Sequence, residues 1–182
     1  IVRAAAKLEC KRGLRSSTFS TMFGLLGVAG LRIREAVALD LSDVDLQTGL
    51  LTIRDTKFSK TRLIPVSEST TVALRRYARL RDRALPAVKS PAFFVSERRV
   101  RVTGWATRYN FAKVSRTVGL REPAGGYRHG HGPRVHDLRH TYGQRLPDAG
   151  VSNEDRAVLM GHATSNMSEH YATPTIARLV EM

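Results

Sequence analysis

The chain has 182 residues, enough for one domain with a real core, and 42% of them are hydrophobic, an ordinary share that argues against disorder. With 30 Lys and Arg against 16 Asp and Glu, the formal net charge is +14 and the pI is near 11, which points to nucleic acid, because neutralised phosphates release counterions. The lone Cys10 excludes an intrachain disulfide, and the apolar run Met22–Leu31 is too short to span a bilayer, so a cytoplasmic protein with no membrane segment is expected.

Residues 2–12 are expected to form one short basic helix ended by Gly13. Ser16, Ser17 or Thr18 is the candidate cap of the next helix. Its apolar residues Phe19, Met22, Phe23, Leu25, Leu26 and Val28 cover more than one face, which predicts burial. Gly30 ends it, and Leu31–Glu35 opens another short helix with Ile33, Val37 and Leu41 facing inward. Arg32, just beyond a buried helix and a glycine, stands on a stiff base. Leu50–Arg54 and Arg62–Val66 read as two strands of a β-hairpin whose polar turn, 55–61, carries Lys57 and Lys60.

From Ser67 to Leu85 the pattern is helical, with Val72, Leu74, Tyr77 and Leu80 on or beside the apolar stripe and Arg75, Arg76, Arg79, Arg81 and Arg83 outside it. Pro86 and Pro91 bound a loop, Phe93–Val95 is a short buried segment, and Thr103 caps a helix reaching about Val118. Residues 119–133, rich in Gly, Pro and His, read as a flexible loop. A helix from about Val135 to Leu146, ended by Pro147 and Gly150, is followed by one from Asn153 to Met160, a short one carrying Tyr171, and an amphipathic one starting at Pro174. The fold class expected is mainly α with a small antiparallel β-sheet (α+β), in a single domain over 1–182. Because residue 1 is Ile, the chain is read as a C-terminal fragment of a longer protein.

The densest chemistry lies between Gly132 and Tyr171. His136 and Arg139 are three apart, so on a helix they share a face, about 5–6 Å apart at Cβ, and reach the same atom. Arg139 offers a planar fork of donors suited to phosphate, His136 a proton-transfer group near neutral pH, and Tyr171 a phenol that becomes a nucleophile once deprotonated. Together these residues call for a phosphodiester. His136 and His140, one helical turn apart and near His129 and His131, have the spacing of a metal pair. No acidic or cysteine ligand stands at a fitting distance in sequence, and Arg139 opposes a cation, so no metal is expected.

In order and spacing, Gly30-Leu31-Arg32-Ile33-Arg34-Glu35, the hairpin lysine Lys57, His136-Asp137-Leu138-Arg139-His140, Leu159-Met160-Gly161-His162 and Tyr171 resemble the active-site boxes of tyrosine recombinases (phage integrases). The resemblance covers about residues 17 to 175 and implies that family's catalytic-domain fold. It also implies site-specific recombination of double-stranded DNA, integration or excision, without a cofactor. Tyr171 would attack a phosphodiester to give a 3′-phosphotyrosyl bond and a free 5′-hydroxyl. Arg32 and Arg139 would clamp the non-bridging oxygens, Lys57 would protonate the leaving oxygen, His136 would assist proton transfer from the phenol, and His162 would hydrogen-bond the phosphate.

Glu35 would orient the site by pairing with a neighbouring cation. Lys60, Arg62 and Arg134 are expected to contact DNA, and Lys57 is preferred to Lys60 as the acid because its distance to Arg62 matches the family. The family's separate N-terminal DNA-binding domain is expected to lie outside these residues, and a tetramer on two duplexes is implied. Two other readings stay open: a DNA-binding remnant or accessory protein without turnover, and a type IB topoisomerase-like enzyme that relaxes DNA. The histidine of His136-Asp137-Leu138-Arg139 favours the recombinase.

Overall fold

A computed structural model of the chain describes residues 1–10, 13–55, 60–86, 90–122 and 132–161. Among these, α1 (Val2–Ala5), α2 (Leu14–Ala29) and α3 (Ile33–Ala38) precede β1 (Val44–Asp45), β2 (Leu50–Asp55) and β3 (Lys60–Pro65). They are followed by α4 (Glu68–Ala84), α5 (Gly104–Thr117), α6 (Val135–Asp148) and α7 (Asn153–Met160). The strands form one antiparallel sheet in the order β1-β2-β3, so the mainly α chain with a small antiparallel sheet is what the structure has.

The core forms around α2. Its Leu14, Phe19, Met22, Phe23, Leu25, Leu26 and Ala29 are buried on more than one face, because α1, α4, α5 and α6 all pack against it. Each such large side chain contributes about 1.5–3 kcal/mol by leaving water. Phe23 meets Phe111 of α5 edge-to-face at 5.3 Å, and Tyr77 of α4 lies against Phe93 and Phe94 at 5.6 and 5.1 Å. The buried Tyr77 hydroxyl accepts from the Val95 N–H at 3.1 Å, which satisfies the one polar atom this cluster brings inside. A smaller cluster of Leu146, Leu159 and Met160, with Tyr142 and Val151 beside it, holds α7 onto α6.

Several expectations are corrected. The cap of α2 is Gly13, in the left-handed region at φ 71°, and Ser16, Ser17 and Thr18 lie inside the helix. Ser16 Oγ donates back to the Gly13 carbonyl at 3.0 Å, and Thr18 is buried, donating to the Val95 carbonyl at 3.2 Å. The first helix ends at Ala5. Leu41 is 44% exposed, because α3 stops at Ala38 and a 3-10 turn, Leu41–Asp43, rotates it outward. Val72 is exposed, whereas Arg81, expected on the polar side of α4, is buried and reaches Asp82 at 2.5 Å and the Phe93 carbonyl at 3.3 Å.

Pro147 does not end α6: the helix includes it and runs on to Asp148. Trp105 and Tyr109, one turn apart on α5, are exposed and stacked at 5.3 Å with planes 13° apart. The expected helices around Tyr171 and from Pro174 lie outside the described residues, as does most of the expected loop 119–133. Among the described residues no helix is long and apolar enough to cross a membrane.

Candidate active site

The site lies where two helices end and a third begins. α2 closes on Gly30 (φ 59°), α3 starts two residues later with Arg32 as its N-cap, and α7 closes on Gly161 (φ 59°). The last carbonyls of a helix lack partners within it and carry partial negative charge, so cations are favoured there. Arginines take these places. Arg139 of α6 donates from Nη1 to the Gly30 carbonyl at 2.5 Å and from Nη2 to the Met160 carbonyl. Arg32 donates from Nη2 to the Gly161 carbonyl at 2.9 Å.

One carboxylate gathers the arginines. Glu35, in the first turn of α3, places Oε1 2.9 Å from Arg32 Nη1, while its Oε2 accepts from the Arg32 backbone N–H at 2.6 Å and from Arg62 Nη2 at 2.9 Å. Arg139 Nη1 stands 4.0 Å from the same oxygen. Burial pushes the Glu35 carboxyl up, but the hydrogen bond and charge of Arg62, with the two bonds from Arg32, outweigh it and hold the group below its ordinary 4.5. Arg139 is brought down to about 10 by burial and by the charge of Arg32, with Glu35 opposing, and so stays protonated at neutral pH.

The two phosphate-clamp candidates differ in access. The Arg32 side chain is 41% exposed and that of Arg139 is 6% exposed, so Arg32 forms the open face and Arg139 the floor. His136 and His140 are exposed on α6 and meet edge-to-face at 4.6 Å. Partial burial and the charges of His140 and Arg139 lower the His136 imidazole below its usual 6.5, so a neutral ring able to accept a proton predominates at neutral pH.

The structure brings Arg32, Glu35 and Arg139 together, with His136 one helical turn before Arg139. Arg62 joins them from β3, its side chain 13% exposed and turned onto Glu35, an interior placement unlike the DNA contact expected of it. Arg134 is exposed as the N-cap of α6, its N–H donating to Asp137 Oδ2 at 2.8 Å. Lys57, His162 and Tyr171 lie outside the described residues; Lys60 begins β3, and its side chain lies outside the description as well. Among the described residues no group of three or more His, Cys, Asp or Glu could hold a metal ion.

Residues 5–178 match the Phage integrase family. The chain belongs to that family. This integrase domain is 38% identical to y4rE, a candidate integrase/recombinase of Sinorhizobium fredii, over 97% of the chain and 57% of the relative. It is 30% identical to tyrosine recombinase XerD of Pseudomonas putida over 88% of the chain and 51% of the relative. The domain thus spans about half the length of the curated relatives it matches. Its fold is that of the XerA recombinase crystal structure (TM-score 0.73, 23% identity, 98% of this chain and 59% of that one). It is also that of XerH bound to a palindromic difH substrate in a post-cleavage complex (TM-score 0.71, 18% identity, 100% and 49%).

Some residues of the integrase site were missed in the sequence. The carbonyls of Gly30, Met160 and Gly161 hold the arginines. Tyr142 packs so closely on Gly30 that a Cβ there would lie 2.2 Å from its ring. The pairing of Arg62 with Glu35 did leave a signal: alternation along β3 puts Arg62 on the same face as the buried Ile64.

Proposed function

We propose that the chain is the catalytic domain of a site-specific DNA recombinase that cuts and rejoins strands through a 3′-phosphotyrosyl intermediate. The observation that carries this reading is the convergence of Arg32 and Arg139 on Glu35, beside the α7 cap that directly precedes His162. Three guanidiniums, those of Arg32, Arg62 and Arg139, face one carboxylate, so two positive charges are left for an anion.

In the cleavage step the Tyr171 oxygen attacks phosphorus and the bond from phosphorus to the 5′-oxygen breaks. The phenol proton passes to His136, and Lys57 gives a proton to the departing oxygen. Arg32 and Arg139 stabilise the charge that builds on the non-bridging oxygens, an effect worth about 3 kcal/mol for a single well-placed donor, while His162 hydrogen-bonds the phosphate. The covalent link preserves the bond energy, so a 5′-hydroxyl of a partner strand reverses the step and seals the new junction. Double-stranded DNA is the substrate, with Arg134 and Lys60 on its backbone, and four copies on two duplexes form the working assembly. In support, a solved relative of the same fold is described as a lambda integrase dimer bound to a core site.

Covalent capture on nicked duplexes of pooled sequence tests the reading. A protein–DNA band that survives SDS and disappears in Tyr171→Phe is expected. Salt-dependent binding with no band from the wild-type chain would move the assignment to a binding protein without turnover. Relaxation of a supercoiled plasmid of arbitrary sequence would move it to the topoisomerase-like class.

A further inference from the structure

Arg62 is buried like a structural residue but is placed where three parts of the site meet. It lies on β3 opposite Ile53 of β2, and its side chain is 13% exposed. One end of the guanidinium, Nη2, donates to Glu35 Oε2 at 2.9 Å. The other end rests on the α7 cap: a Cβ at Gly161 would lie 2.6 Å from Arg62 Nη1 and 2.8 Å from its Cζ. Among the described residues Arg62 Nε is buried without a hydrogen-bond partner, which carries a desolvation cost. Gly161 in turn accepts from Arg32, which is paired with Glu35. The contacts close a ring from Arg62 to Glu35 to Arg32 to Gly161 and back to Arg62.

The ring fixes a strand to a catalytic centre. β3 emerges from the connection 56–59, which contains Lys57, and Arg62 lies five residues beyond that lysine. We infer that Arg62 is a positioning residue: it ties β3, five residues beyond the lysine that the proposed reading makes the acid, to Glu35 and Gly161 beside the two clamp arginines. The inference rests on the proposed recombinase reading, in which Lys57 protonates the leaving oxygen. Only a planar fork reaches the carboxylate and the glycine turn at once, so an ammonium does not replace it. Displacement of a catalytic group by about 1 Å costs on the order of 100-fold in rate.

The test separates positioning from DNA contact. Adduct formation by the wild-type chain, Arg62→Met, Arg62→Lys and Lys57→Ala is timed on nicked duplexes carrying either the ordinary 5′-oxygen or a bridging 5′-sulfur, since a thiolate leaves without being protonated. DNA affinity and its salt dependence are measured on the same proteins, with urea melts to show that each is folded. Arg62→Met is expected to slow cleavage about 100-fold on the oxygen substrate and to regain most of the rate on sulfur, with affinity within about twofold and an unchanged salt slope. Where Arg62→Met does not fold, Arg62→Lys is read by the same criteria.

Equal slowing on both substrates, no slowing at all, or a salt slope reduced by about one phosphate contact overturns the inference. The parent reading fails in different lanes: a wild-type chain with no Tyr171-dependent adduct removes the recombinase assignment. A Lys57→Ala chain that sulfur does not restore removes the acid.

Discussion

Glu35 shares its two oxygens between Arg32 and Arg62 while 7% of its side chain is exposed, so its charge holds cations that otherwise repel one another. Glu35→Gln keeps the shape and removes the charge, leaving interior guanidiniums uncompensated, and is expected to cost about 3 kcal/mol at neutral pH. The carboxyl lies lower in the folded chain than its ordinary 4.5, so its contribution is complete above that value and is lost as pH falls through the lowered folded value. The gap between wild type and Glu35→Gln should therefore be constant near neutrality and close in acid, as urea melts at a series of pH values would read. A gap that stays constant into acid would show that the pairing adds nothing to stability.

The two left-handed glycine caps decide where the helices stop and hence where the arginines find their acceptors. Gly30→Ala combines an unfavourable φ of 59° with a Cβ 2.2 Å from the Tyr142 ring. The expected loss is about 2–4 kcal/mol in urea, with slower adduct formation because the carbonyl that holds Arg139 shifts. Gly30 was legible in the sequence as a helix stop, as was the Thr103 cap of α5. The start of α2 was not, because Ser16 and Thr18 look like caps by residue type but spend their hydroxyls elsewhere. The two-residue β1 carries too little pattern to be seen, and Arg81 reads as polar although its guanidinium lies beneath Phe93. Arg32 at the start of α3 and Arg139 on α6 were visible as letters. Their acceptors were not, since a backbone carbonyl has no letter and the Arg32–Gly161 bond joins positions 129 residues apart.

For the whole molecule, a charge of +14 means that the proposed DNA binding should depend strongly on salt. If four phosphates are neutralised, affinity should fall about a hundredfold between 50 and 200 mM monovalent salt, which fluorescence anisotropy on a labelled duplex would measure. A shallow slope would mean that the positive charge is spent within the protein, as it is for Arg62 and Arg81. The chain's one tryptophan, Trp105, is 71% exposed at the start of α5, where a Cβ on Gly104 would lie 3.6 Å from Ile33, the neighbour of Arg32. An indole so exposed, stacked on Tyr109, is a native optical reporter of whatever settles on that face of α5. If the proposed DNA substrate covers that face, its arrival and departure can be timed on the unlabelled protein.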